Sequence, residues 1–208
     1  MIKDIVFDFG GVLTLIDSNQ AMQRFKELGV QEPEKYINPY LQSGPFFSLE
    51  NGDITAEEFC EELARICNRP ISYDDAKHAW LGFIVQVQTE FLNFLQQLRP
   101  RYRLSVLSNT NPFIQSWARS KDFTVAGKSL DDYFDHLFLS YKMNCSKPGE
   151  EIYRKMLLEG NMKAEETLFI DDGEHNIAAA RKVGINVLKV GNGEDWRDTL
   201  AKLLATDR

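Results

Sequence analysis

The sequence predicts an α/β protein: a doubly wound parallel sheet with an all-helical cap domain inserted after its first strand. Three observations predict it. Five short apolar runs have strand length, the last four alternate with helical stripes, and a stretch of helical periodicity separates the first run from the second.

The elements follow in order. Ile5-Val6-Phe7 is an apolar run ending in Asp8, then Phe9-Gly10-Gly11, which reads as a buried strand entering a tight turn. Met22, Phe25 and Leu28 keep helical spacing, with Gly29 where a C-terminal cap belongs. Residues 38–52, broken by Pro39, Gly44, Pro45 and Gly52, read as a loop. The adjacent Phe46 and Phe47 in it suit either core packing or a cap-side pocket. Thr55-x-x-Glu58 is a capping box opening a helix with Phe59, Leu63 and Ile66 on one face. Ala76, Ala79, Trp80 and Phe83 form the next stripe, and Phe91, Leu95 and Leu98 another, stopped by Pro100. Trp80 and Phe91 are expected in the core of the cap.

Beyond Pro100 the pattern changes. Strands are expected at Leu104 to Leu107, His136 to Leu139, Leu168 to Ile170 and Val187 to Val190. Helices are expected around Phe113 to Trp117, at Ile152 to Leu158 after Lys147-Pro148, and at Asn176 to Val183 before Gly184. The expected division is residues 1–14 plus 96–208 as the α/β core and residues 15–95 as the cap.

Composition narrows the function. Among 208 residues, 24 basic against 31 acidic side chains give a net charge of −7. That balance excludes nucleic acid or an anionic membrane as the main partner, because both need a basic face. No stretch approaches the ~20 apolar residues of a membrane span. The start carries two acids, Asp4 and Asp8, where a secretory leader needs an apolar run. The three cysteines lack zinc-ligand spacing, and Cys60 and Cys67 sit about 10 Å apart on one helix, too far for a disulfide. They are expected as buried thiols in a reducing, cytoplasmic setting.

In open α/β sheets, ligands bind beyond the carboxyl ends of the strands. Here those ends carry Asp8, Ser108, Asp171 and Asp172, and Lys147 begins a helix able to reach the same edge. Clustered carboxylates cannot all ionise unless a cation joins them, and a hard cation such as Mg²⁺ resolves the conflict. A lysine and a hydroxyl beside it suit a phosphate dianion. Asp8 can then attack phosphorus and form an aspartyl-phosphate that water hydrolyses. Glu57-Glu58, Glu61-Glu62 and Asp131-Asp132 read as solvated faces, His175 as the exposed first turn of a helix, and His78 and His136 as structural or solvated.

Asp8-Phe-Gly-Gly-Val12, Leu107-Ser108-Asn109-Thr110, Lys147-Pro148 and Phe169-Ile-Asp171-Asp172-Gly-Glu-His-Asn176 resemble, in order, the four motifs of the haloacid-dehalogenase (HAD) superfamily. The insert resembles its helical cap, and Leu49-Glu-Asn-Gly52-Asp-Ile-Thr55-x-x-Glu-Phe59 is similar to the cap of the sugar-phosphate phosphatase branch, which includes glucose-1-phosphate phosphatases. The resemblance implies a Rossmann-like core and a Mg²⁺-dependent phosphatase acting on a small phosphorylated metabolite. It implies Asp8 as nucleophile and metal ligand, Ser108 and Asn109 on the phosphoryl oxygens, and Lys147 neutralising nucleophile and phosphate. It further implies Asp172 as a direct metal ligand, Asp171 as a direct or water-mediated one, and Gly10 lending its carbonyl to the metal. Gly10 departs from the family pattern, in which a second aspartate serves there as general acid and base; such help is worth about 10²–10⁴-fold. Alternatives are a metal-free 2-haloacid dehalogenase, a non-catalytic phosphometabolite-binding protein and, lowest, a mutase. The expected assembly is a monomer or homodimer.

Overall fold

The computed structural model describes residues 1–37 and 42–207. Of the stretch expected as a loop, residues 38–41 lie outside the described residues. The chain opens with β1 (Asp4–Phe7), β2 (Thr14–Ile16), α1 (Ser18–Leu28), α2 (Gly44–Asn51), α3 (Ala56–Cys67), α4 (Tyr73–Trp80) and β3 (Ile84–Val87). It continues with α5 (Thr89–Leu98), β4 (Arg103–Ser108), α6 (Pro112–Ala118), β5 (His136–Leu139), α7 (Ser140–Met143) and α8 (Glu150–Glu159). The last elements are β6 (Thr167–Asp171), α9 (Glu174–Lys182), β7 (Asn186–Lys189) and α10 (Arg197–Thr206).

Five strands form a parallel sheet in the order β5-β4-β1-β6-β7, as expected for a doubly wound α/β core. Its three central strands, β4, β1 and β6, are buried on both faces, which is why they read as unbroken apolar runs. Ile5 and Phe7 face one layer, where Phe7 meets Trp196 at 5.2 Å between ring centres. Val6 points to the other, among Leu107, Phe169, Ile152 and Met156. Register places the functional edge: Phe7 pairs with both Val106 and Ile170, so Asp8 emerges level with Leu107 and Asp171.

The stretch expected as an all-helical cap is flanked by two short strands: β2 and β3 pair antiparallel, with Leu15 opposite Gln86. Strands of three and four residues are too short to leave a period in the sequence. A second correction concerns the expected loop at residues 38–52, much of which is α2. Its breakers sit at the helix ends rather than inside: Pro45 lies in the first turn, where no amide is needed, and Gly52 closes the last turn at φ 80°. Phe46 is accordingly a core residue, packed among Phe25, Phe59 and Trp80 at 4.8–5.4 Å with Tyr36 stacked on it. A third concerns Phe91, which was expected inside the cap. On α5 it lies 5.1 Å from Trp196, and Phe94 joins it at 6.0 Å, so that helix covers the sheet from Thr89 onward, ahead of the expected boundary at residue 95. Cys60 and Cys67 are only half-buried, Cys145 is buried, and all three are free.

Cap and core meet along a seam. Phe113 of α6 packs on Phe59 and Tyr73 at 5.8 and 4.8 Å. The last carbonyls of α2, which no helical amide reaches, are taken up from the core side. Ser140 Oγ donates to Glu50 O (2.5 Å) and Asn144 Nδ2 to Gly52 O (3.0 Å). Ser146 Oγ also donates to the Asn51 side chain (3.0 Å). Glu50 is buried in this seam, and burial pushes its carboxyl up to about 7, the Asn111 amide opposing only in part. A carboxyl raised in the folded state costs stability as pH rises from its ordinary 4.5 through that higher value. Wild-type protein is therefore expected to lose about 3 kcal/mol from this group between pH 4.5 and 7.5. Glu50→Gln should be the more stable protein at pH 8 and the difference should vanish near pH 4.5, read by urea unfolding at each pH.

Candidate active site

Asp8 leaves the end of β1 with its amide donating to Ile170 O (2.8 Å), which fixes it beside β6. The Lys147 side chain is 1% exposed, and its Nζ lies 2.9 Å from Asp8 Oδ1 and 2.7 Å from Asp171 Oδ2. Asp8, Asp171 and Asp172 bring carboxylate oxygens within 4.8 Å of one another. Ser108, 2% exposed at the end of β4, turns its hydroxyl to Asn109 O (3.2 Å).

Asn109 follows Ser108 beyond the end of β4. Its amide grips the Lys147 backbone from both sides, Nδ2 donating to Lys147 O and Oδ1 accepting from Lys147 N, each at 2.8 Å. Its side chain thereby positions the Lys147 backbone. Two residues the sequence reading did not assign support Asp171. Asn176 Nδ2 donates to both Asp171 oxygens (3.0 and 3.2 Å), and Tyr153 Oη donates to Asn176 O (3.0 Å). Gly173 N adds a bond to Asp171 Oδ1 (2.7 Å). His175 stands on the exposed first turn of α9, as its neighbours suggest.

Three carboxylates against one ammonium leave negative charge uncompensated. Burial raises Asp8 well above the usual carboxylate range; Lys147 opposes it, while Asp171 and Asp172 add to it. Burial and then Asp171 raise Asp172 as well. Burial alone would depress Lys147, but Asp171 and Asp8 outweigh it and hold the ammonium firmly charged. An oxygen-only cluster with surplus negative charge fits a hard divalent cation.

Gly11 makes room for that cluster. A Cβ there would stand 2.2 Å from Asp172 Oδ2, and its φ is +80°. Gly11→Ala is expected to displace Asp172, so that thermal stabilisation by added Mg²⁺ shrinks at least about tenfold in apparent affinity while the strained backbone costs about 1–2 kcal/mol. A Mg²⁺ titration of the melting temperature checks both.

A carboxylate at the end of β1, a buried lysine and a cluster of acids meet at the carboxyl edge of this sheet, and the chain belongs to the haloacid dehalogenase-like hydrolases, whose family model matches residues 5–190. A D-ribitol-5-phosphate phosphatase from Bacteroides thetaiotaomicron is 42% identical over 204 residues, spanning 98% of this chain and 99% of that one. A HAD-like family hydrolase from Porphyromonas gingivalis is 40% identical over 98% of each chain and superposes with a TM-score of 0.94. A HAD family enzyme from B. thetaiotaomicron, solved with magnesium and inorganic phosphate, is 33% identical over 96% of this chain and 99% of that one, with a TM-score of 0.87. A 2-haloacid dehalogenase from Pseudomonas syringae shares the fold alone, at 17% identity and a TM-score of 0.62.

Proposed function

We propose that this chain is a Mg²⁺-dependent phosphatase that hydrolyses a small sugar or polyol phosphate through an aspartyl-phosphate. The observation that carries it is Lys147 seated between Asp8 and Asp171, with Asp172 completing an acidic triangle. Mg²⁺ held by Asp8, Asp172 and the Gly10 carbonyl would neutralise the phosphoryl group. Asp171, whose oxygens already accept from Lys147, Asn176 and Gly173, would support it through water.

Ser108 and the Asn109 main chain hold the phosphoryl oxygens in line with Asp8. An Asp8 carboxylate oxygen bonds to phosphorus as the ester oxygen leaves with its electron pair. Water then cleaves the aspartyl-phosphate and returns Asp8. Lys147 favours the ionised form of Asp8 against its burial and screens the incoming dianion throughout. The polyol class is supported by the relative that acts on D-ribitol 5-phosphate. A dehalogenase reading has only the fold likeness behind it, and the acidic triangle would repel an anionic haloacid. We place the cap between the two ribbon strands, at residues 17–83, closing over this edge. Three free thiols support a cytoplasmic setting.

Purified protein with Mg²⁺ is expected to release phosphate from sugar and polyol phosphates, and EDTA to stop it. Failure across a broad ester panel, or EDTA-resistant chloride release from 2-chloropropionate, would overturn the reading.

A further inference from the structure

Position 10 lies two residues beyond the proposed nucleophile. A side chain built there would project toward one neighbour among the described residues: Ile16 Cδ1 at 3.3 Å and Cγ2 at 3.5 Å, with nothing else within 4 Å. What a side chain at position 10 would meet is thus hydrocarbon. Ile16 is half-buried at the end of β2.

Its place is fixed from the far side of the sheet. Asn192 grips the Ile16 backbone, Oδ1 accepting from Ile16 N (3.2 Å) and Nδ2 donating to Ile16 O (2.8 Å). The next residue, Gly193, donates its amide to Gly11 O (2.7 Å). One short loop therefore holds both the turn after the nucleophile and the wall beside it.

Among the described residues, two donors near Asp8 are already engaged. Lys147 Nζ bridges Asp8 and Asp171, and Tyr153 Oη is directed to Asn176 O. Asp172 stands over Gly11 within the acidic triangle.

Resting on the phosphatase reading, we propose that Ile16, pinned by Asn192, is a specificity-determining residue: it leaves the departing oxygen without a proton donor from the protein, so the site favours esters whose alcohol stabilises its own negative charge. As Asp8 bonds to phosphorus and the ester P–O bond breaks, the electron pair stays on the alcohol oxygen. The proton that finally joins it comes from water. A hydroxyl on the adjacent carbon, as in a polyol, stabilises the oxyanion by a hydrogen bond and by induction. A plain alkyl alcohol has neither.

The test is kcat/KM, which covers the steps through phosphorylation of Asp8, across aryl phosphates of one shape and stepped leaving-group acidity. Wild-type protein is expected to lose about 10²-fold or more from the most to the least acidic phenol, the scale of the missing acid. Ile16→Asp should flatten that slope by recovering the poor leaving groups at least about tenfold, whereas Ile16→Val should keep it steep. Should Ile16→Asp fold poorly, Gly10→Asp introduces the acid against a flexible side-chain end, and the wild-type slope reads out with no variant at all. Glycerol 3-phosphate should likewise exceed propyl phosphate. A shallow wild-type slope with equal rates on that pair would overturn the proposal by showing a donor in place. If even the most acidic ester is inert, the phosphatase reading falls and this one with it.

Discussion

Asp8→Asn is expected to reduce phosphate release by more than about 10⁴-fold while leaving the fold intact, because it removes the atom that bonds to phosphorus and little else. The amide keeps the shape and Lys147 keeps its 2.7 Å contact with Asp171. Stability should even rise in metal-free buffer. Burial, with Asp171 and Asp172 adding and Lys147 opposing, holds Asp8 above its ordinary 3.8, so ionising it costs folding energy at neutral pH. The gain from asparagine should be present at pH 7.5 and fade as pH falls toward 3.8, where the wild-type carboxyl is protonated in both states. Thermal scans in EDTA at several pH values, beside a phosphate assay with Mg²⁺, check both halves. Retained turnover would remove Asp8 from the chemistry.

Lys147→Ala should damage stability as well as activity. Its ammonium is 1% exposed between Asp8 and Asp171, themselves 12% and 0% exposed, so truncation leaves two buried carboxylates without their counter-ion. Breaking such a pair costs about 3–5 kcal/mol, or roughly 10 °C or more in Tm for a chain of this size. The loss should shrink in two ways. Acidification protonates the orphaned carboxylates, and Mg²⁺ supplies another positive charge. Turnover should fall by at least about 10²-fold even with Mg²⁺, since a cation elsewhere in the site cannot replace an ammonium aimed at Asp8. A melting temperature unaffected by the substitution would show that the lysine is not the core of this charge cluster.

The fold was legible where burial is continuous or periodic. Ile5, Leu104 to Leu107 and Leu168 to Ile170 read as strands because both faces of the sheet are covered. Asp8, Ser108, Lys147, Asp171 and Asp172 were legible because acids, a hydroxyl and a lysine stand at successive strand or helix ends. Other features left no local pattern. Breakers at the ends of α2 looked like breakers within a loop, and β2 and β3 are too short to show alternation. Asn109 was recognised as a residue near the phosphate, but its grip on the Lys147 backbone joins positions 38 residues apart and cannot be read from either neighbourhood. Asn176 reaches back five residues to Asp171, Tyr153 holds Asn176 from 23 residues away, and Gly11 matters through an approach of Asp172 that only the folded chain brings about.

Trp196 ties the segment before α10 to the turn after β1. Its indole packs on Phe7 and its Nε1 donates to Val12 O (3.0 Å), while Gly193 holds Gly11 from the same segment. During synthesis on the ribosome, Asp8 emerges well before Gly193 and Trp196, which brace the turn that follows it. That turn therefore stays unbraced on a nascent chain until Trp196 has left the exit tunnel, and such far-apart pairings make for slow assembly. A message cut short ahead of that tryptophan would yield a sheet with its chemistry present and unaimed.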